Sequence, residues 1–444
     1  MRAPPLGSRL KTLGPLEGHW NWAIHRTQFP SFWMSVVLIT LASFLVQSVT
    51  LEPALGFTPR FNIWSYIFVA LGFLILPLIN CIAVQMALFL SISMISALGF
   101  AEPLTGSHAA GTSPVIFGLS FYTATLAYHA ARGDLAKSAH QRVAIYGSAI
   151  FLYTGPILAY VRPVRIDVRR ANVAMSYVLL GFFMFWIVAK NLVPLLALRD
   201  FTSFWDVIVF GVIFEIFVYF NFAGLSLMIY GVAQLCGLRV PLNFRQPFSA
   251  RNVVEFWRAW HITLAMVLKE VFYLRIKRVA STDVAIVGVF LASALWHGVT
   301  LNFLVWGLFH GLMFVVAKYV LKRGWLVAAF LMLPPVLILG RALFAENRPG
   351  LLMDKIASVL TLDGITALPL STLSLIIEER LATLSLMLGG IFILLEAFDG
   401  RRRVFARRRY SMFRSRAAIL MMIVLIFLLG RAGGGEVYAV YGQR

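Results

Sequence analysis

Residues 205–235 read WDVIVFGVIFEIFVYFNFAGLSLMIYGVAQL. As a helix rising about 1.5 Å per residue, such a run exceeds the roughly 30 Å hydrocarbon core of a bilayer. It therefore reads as a membrane span. Comparable runs lie on both sides of it, at roughly 33–49, 64–79, 81–100, 115–131, 143–161, 174–197, 283–297, 303–320, 325–344, 371–397 and 417–433, which makes twelve candidates. Inside hydrocarbon every backbone polar group must be satisfied internally, so the expected fold class is all-α, a polytopic transmembrane helical bundle.

Composition agrees. Of 444 residues, 60% are hydrophobic and 13% charged, against about 25% charged in a soluble domain. The net charge of +20 would suit a nucleic-acid partner only in polar surroundings, so no nucleic acid is expected and the charge belongs to loops between spans. Cys81 and Cys236 sit in apolar runs without metal or redox spacing and read as packing residues. Residues 1–32, with Arg2, Arg9, Lys11 and Arg26 spread through a polar stretch, read as a cytoplasmic tail and not as a cleavable signal.

Lys/Arg bias sets the threading. Basic loops fall at 132–142, 162–170, 239–278, around Lys318, Lys322 and Arg323, and at 401–416, whereas 50–63, 101–114 and 345–370 carry few cations and belong outside. The basic loops on either side of 143–161 cannot both be cytoplasmic if that run crosses, and Gly155-Pro156 breaks it as a helix. We read it as re-entrant. That leaves about 11 crossings, with re-entrant and interfacial helices besides, the amino terminus cytoplasmic and the carboxyl terminus outside. The organisation expected is a tail (1–32), N-terminal membrane helices (33–131), a core at 132–350 with the motif region 237–282, and C-terminal helices (351–444) around the Arg-rich loop 401–416.

The polar chemistry is concentrated in two places. The first runs Asn243-Phe244-Arg245-Gln246-Pro247-Phe248, then Glu255-Phe256-Trp257-Arg258-Ala259-Trp260-His261-Ile262, then Lys269-Glu270 and Arg275. On one continuous helix Arg258, His261 and Glu270 would recur on broadly one face. The plainer reading is a basic interfacial helix with Trp257 and Trp260 at headgroup level. The second is Leu295-Trp296-His297-Gly298, followed by Asn302, Trp306-Gly307 and His310-Gly311. Ionisable residues at membrane depth usually face a water-filled or substrate-lined interior. His297 stands at a break between apolar runs, where a cavity is easiest to build; a hydrogen-bonded core histidine is the alternative, and for His310 the preferred one. Phosphate cradles of the GxxxxGK[ST] type, a GxGxxG after a strand and GxSxG are all absent from the sequence. A polytopic transporter of lipid or glycan shares broken helices and buried histidines, but no internal repeat supports it.

The tandem of Trp260-His261-Ile262 and Leu295-Trp296-His297-Gly298, with the Asn243 to Phe248 and Trp306 to Gly311 segments, resembles the membrane-bound O-acyltransferase family, in its bacterial branch of alginate O-acetylation and teichoic-acid D-alanylation proteins. Weaker echoes at Gly155-Pro156-Ile157, Gly181-Phe182-Phe183, Tyr219 to Ser226 and Arg341-Ala342 extend it over roughly 150–350. The chain departs from the pattern at Asn221, Ala223 and Leu227, and it carries Lys269-Glu270 where an Arg-Asp pair is common.

The resemblance implies a multi-pass protein of the bacterial inner membrane. It would move an acyl group, acetyl first, from a cytoplasmic thioester to hydroxyls of an exported polysaccharide or envelope polymer. No bound cofactor is implied, only a donor, acetyl-coenzyme A or an acyl carrier protein. Implied partners are the polymer, the lipid bilayer, an extracytoplasmic esterase-like acyltransferase and a polysaccharide synthase. A D-alanyl transferase fed by a carrier protein is the alternative within the family. On this reading His297 is the general base and His261 positions the thioester or stabilises the oxyanion. Arg258, Lys269 and Arg275 form a cationic entrance, and Glu270, Asn221, Trp296, Asn302 and His310 line the substrate path. No metal is involved.

Overall fold

The computed structural model describes residues 167–235, 238–298, 300–367, 369–402, 410 and 412–430, with positions 124, 125, 127, 128, 131, 132, 157, 162 and 163. The runs at 33–49, 64–79 and 81–100, nearly all of 115–131 and of 143–161, and both cysteines lie outside the described residues.

The described chain is helical apart from one two-residue pairing, β1 (Arg162–Pro163) antiparallel to β2 (Leu238–Arg239). Helix α1 (Val168–Asp200) changes pitch at a π-segment, Phe183–Ala189, and tightens into a 3-10 turn at Val193–Asp200. Asp167 caps it by accepting from the Arg170 amide at 2.8 Å. Helix α2 (Phe204–Leu235) is the central strut, buried along most of its length. Then come the short helices α3 (Val253–Ala259), α4 (Ile262–Leu268) and α5 (Leu274–Val279), the last two joined by a π-turn at Lys269–Tyr273. Helices α6 (Thr282–His297) and α7 (Leu301–Lys322) form a pair. Helices α8 (Leu326–Leu331) and α9 (Leu333–Ala345) together span one apolar stretch, with Pro334 and Pro335 confined to the first turn of α9, where missing amides do least harm. Helices α10 (Pro349–Thr361), α11 (Leu370–Glu378), α12 (Arg380–Arg402) and α13 (Arg416–Leu429) complete it.

Five helices among the described residues are long and apolar enough to cross a membrane: Val168–Asp200, Phe204–Leu235, Leu301–Lys322, Leu326–Ala345 and Arg380–Phe398. The run expected at 371–397 is two helices, because the chain breaks at Glu379 between α11 and α12. Helix α7 shows why such helices suit lipid: Phe303, Trp306, Gly307, His310 and Gly311 face inward, while Leu308, Leu312 and Val316 on the other side are exposed.

Helices α1 and α9 flank α2, and α7 packs on α9. The α1–α2 crossing is a backbone contact. A Cβ on Gly224 would stand 2.8 Å from the Phe185 amide nitrogen, and one on Gly181 would run into the Gly224 carbonyl.

Beside the middle of α2, polar groups from four segments lock together. Gln246 and Tyr410 are both left-handed, with φ of 53° and 55°. Each donates its amide to the other's side chain, Gln246 to the Tyr410 hydroxyl at 3.3 Å and Tyr410 to the Gln246 Oε1 at 3.2 Å. The Tyr219 hydroxyl donates to Glu396 and lies 3.2 Å from that of Tyr410, and the Phe248 amide donates to the second Glu396 oxygen at 2.9 Å.

Candidate functional site

The motif region does not form one helix. Helix α3 stops at Ala259, and His261 takes a left-handed conformation, φ 43°, before α4 starts. A non-glycine residue held there is strained, and such strain persists only where the surroundings over-determine it. Here the loop at 243–245 does so: the Ile262 amide donates to the Asn243 carbonyl at 2.9 Å, and the Arg245 amide to the Ala259 carbonyl at 3.0 Å. The expected common face of Arg258, His261 and Glu270 is therefore absent; Arg258 is exposed and His261 buried. Nor do the tryptophans serve as a surface belt, since Trp260 is buried against Phe244 and Phe256 and Trp257 packs on Trp306 and His310.

Asn243 fixes which nitrogen of His261 carries the proton. Its Oδ1 accepts from the Thr263 amide at 3.3 Å and the Thr263 hydroxyl at 2.8 Å, and lies 3.1 Å from His261 Nδ1. A backbone N–H can only donate, so the atom it meets is the amide oxygen. His261 Nδ1 must then donate, and in the neutral ring Nε2 is left with its lone pair. Thr263 in turn accepts from the Ile157 amide at 3.1 Å, which brings Ile157 against the motif.

Burial pushes the His261 pKa down from 6.5 to about 3, so the ring is neutral at physiological pH. Between those two values the unfolded chain binds the extra proton, so stability falls as pH falls. From pH 7 to pH 5 the expected loss is on the order of 2 kcal/mol from this group. Thermal unfolding in detergent across that range should show a shallower decline for His261→Gln than for wild type; parallel curves would remove His261 as the cause.

His297 ends α6. Its ring meets Trp306 at 5.4 Å, Phe344 at 5.0 Å and Phe303 at 5.9 Å, and Trp296 meets both His297 at 4.9 Å and His261 at 5.8 Å. The two imidazoles thus come from separate motifs to one shared indole. Phe222 of α2 closes on His261 edge-on at 4.8 Å. Asn302 donates to the Phe344 carbonyl at 2.8 Å and accepts from Thr300, which pins the start of α7 to the end of α9. His310 lies one step further along the same seam, against Trp306, Trp257 and Phe290. Gly340 leaves it room; a Cβ there would stand 2.6 Å from the His310 Cε1.

The cations are placed differently. Arg258 and Lys269 are exposed. Arg275 is half-buried and donates to the carbonyls of Glu270 and, at 3.0 Å, Val271, so it closes the π-turn. The Glu270 carboxylate lies 3.7 Å from Arg132. Asn221 is buried midway along α2, beside Phe222 in sequence. Sequence reasoning did not identify the buried pair of Arg341 with Glu215, whose guanidinium also covers Trp260 at 4.4 Å. A carboxylate inside the 205–235 run was the available signal. The role of Asn243 in setting the His261 tautomer has no signal in its motif.

The membrane-bound O-acyltransferase family model, MBOAT, matches residues 153–330, the stretch that holds all three histidines. A peptidoglycan O-acetyltransferase of Helicobacter pylori is 39% identical over 99 residues, covering 21% of this chain and 19% of that protein. A probable alginate O-acetylase, AlgI, of Pseudomonas fluorescens is 34% identical over 105 residues, 23% of this chain and 21% of that one. A teichoic acid D-alanyltransferase of Streptococcus thermophilus is 27% identical over 169 residues, 34% of this chain and 41% of that one. The chain therefore spans between about a fifth and two fifths of the length of these relatives.

Proposed function

Because the chain carries a membrane-bound O-acyltransferase domain over residues 153–330, we propose that it moves an acyl group, acetyl first, from a cytoplasmic thioester to hydroxyls of an exported polysaccharide or envelope polymer. The observation that carries this reading is the placing of His261 and His297 on one shared indole, Trp296. His297 takes the proton of the acceptor hydroxyl as its oxygen attacks the thioester carbonyl carbon. The carbonyl π pair moves to oxygen, then re-forms the double bond as the C–S bond breaks. The thiolate receives the proton held by His297, so the products are an ester and a free thiol. A donor of acetyl-coenzyme A type needs no bound cofactor.

Placement of the basic loops on one common side, which charge bias makes the cytoplasm, is supported by contacts that gather them: Arg132 with Glu270, β1 with β2, and Tyr410 with Gln246. The Ile157 to Thr263 bond supports a re-entrant 143–161. On this threading the chain makes eleven crossings, with the amino terminus in the cytoplasm and the carboxyl terminus outside, in a bacterial inner membrane. An extracytoplasmic esterase-like partner and a polysaccharide synthase complete the system. One observation favours a second reading, D-alanyl transfer from a carrier protein: of the three relatives above, the D-alanyltransferase aligns over the longest stretch.

The test is transfer of radiolabel from acetyl-coenzyme A, or from a charged carrier protein, to polymer by the protein in proteoliposomes. The wild type should label the polymer. No label from either donor would overturn the reading in favour of transport without acyl chemistry. In the same assay the Arg258→Gln, Lys269→Gln double variant should raise the donor KM about three- to tenfold with kcat within about twofold, because exposed cations act on binding more than on chemistry. Arg275 is left intact since it bonds backbone carbonyls. An unchanged KM would return these two residues to topology alone.

A further inference from the structure

The acyl-transfer reading requires a donor for the carbonyl oxygen as it becomes an oxyanion, and the tautomer of His261 leaves that position open. With its proton on Nδ1 toward Asn243, Nε2 of His261 accepts hydrogen bonds and does not give them. An alternative lies against His297. Trp306 is 2% exposed, its ring is 5.4 Å from that of His297 and 5.4 Å from Phe344, and its Nε1 has no hydrogen-bond partner among the described residues. Buried indole N–H groups usually find a partner, because leaving one unmade forfeits its hydration without replacing it. His310, whose ring also meets that of Trp306 at 5.2 Å, does not supply it, and its own Nδ1 is without a partner among the described residues.

We propose that the indole N–H of Trp306 is the hydrogen-bond donor to the thioester carbonyl oxygen while His297 deprotonates the acceptor hydroxyl; this rests on the acyl-transfer reading above. Trp306 transfers no proton. It stabilises the negative charge on oxygen until the C–S bond breaks, and a donor fixed in a water-poor site is worth far more there than in water. Trp257 supplies an internal comparison. Its Nε1 is also buried without a partner, but its ring neighbours are Phe256, Phe290, Trp306 and His310, not His297.

The experiment replaces Trp306 in the full chain with benzothienylalanine, which keeps the bicyclic shape and puts sulfur in place of N–H, and with Phe as a second variant; Trp257→Phe is the control. Acyl transfer is measured in nanodiscs with the donor that the wild type uses. The carbonyl stretch of bound isotope-labelled acyl thioester is recorded by infrared spectroscopy. Expected for both Trp306 variants is a fall in kcat of about 10²–10³-fold with donor KM within about twofold, and loss of the lowered carbonyl frequency seen in the wild type. Trp257→Phe should remain within about threefold of the wild type. A benzothienyl variant with wild-type kcat, or equal losses at Trp306 and Trp257, would overturn the proposal while the wild type still transfers. A wild type that transfers from neither donor would remove the underlying reading, and the proposal with it.

Discussion

His297→Ala should lose acyl transfer by about 10²–10⁴-fold or more, since removal of a general base alone has an effect of that size. The protein should still fold. His297 is the last residue of α6, and its four aromatic neighbours among the described residues, Trp296, Phe303, Trp306 and Phe344, also contact one another or residues beyond it. His310→Ala should behave in the opposite way. Its ring fills the space between Trp257 and Phe290 over Gly340, so truncation opens a cavity at the α7–α9 contact and lowers thermal stability more than turnover per folded molecule. Transfer to polymer per folded molecule, with the unfolding temperature of each variant, decides the assignment. Substantial activity in well-folded His297→Ala, or a loss confined to well-folded His310→Ala, would show that the base is the wrong histidine.

The largest stability effect is expected at Glu215 and Arg341. Both side chains are 6% exposed and form an ion pair deep between α2 and α9, with Arg341 lying over Trp260. Removing one partner leaves the other charge buried, which typically destabilises by about 3–5 kcal/mol. Glu215→Ala and Arg341→Met should each lower the unfolding temperature sharply. Glu215→Leu with Arg341→Met should recover much of the loss, because two apolar side chains leave no charge to solvate. A double variant as unstable as the sum of the single variants would locate the effect in packing and not in the ion pair.

Much of this arrangement was legible from periodicity and composition, for a definite reason. Runs such as 205–235 and 303–320 are long and apolar enough that burial in lipid dictates a helix, and α2 and α7 follow. The histidine motifs were legible because polar groups in such surroundings stand out. The break at His261 was not. No glycine or proline marks it; it is imposed by hydrogen bonds with Asn243 and Arg245, 18 and 16 residues upstream of His261. The pairing of Glu215 with Arg341 and of Tyr219 with Glu396 joins residues 126 and 177 apart, a distance over which a single sequence carries no pairing signal. The roles of Arg258 and Arg275 could not be separated from topology by charge alone, whereas the structure separates them by where each guanidinium lies.

The mutual clasp of Gln246 and Tyr410 bears on how the protein is made. A ribosome delivers both motif histidines to the membrane long before residue 410 emerges, yet the loop at 243–248 is hydrogen-bonded to Glu396 and Tyr410. Fastening of this loop therefore waits until residues 396 and 410 have been made. A nascent chain that stalls after α9 holds every motif residue but lacks the bonds from Glu396 and Tyr410 that fasten the 243–248 loop.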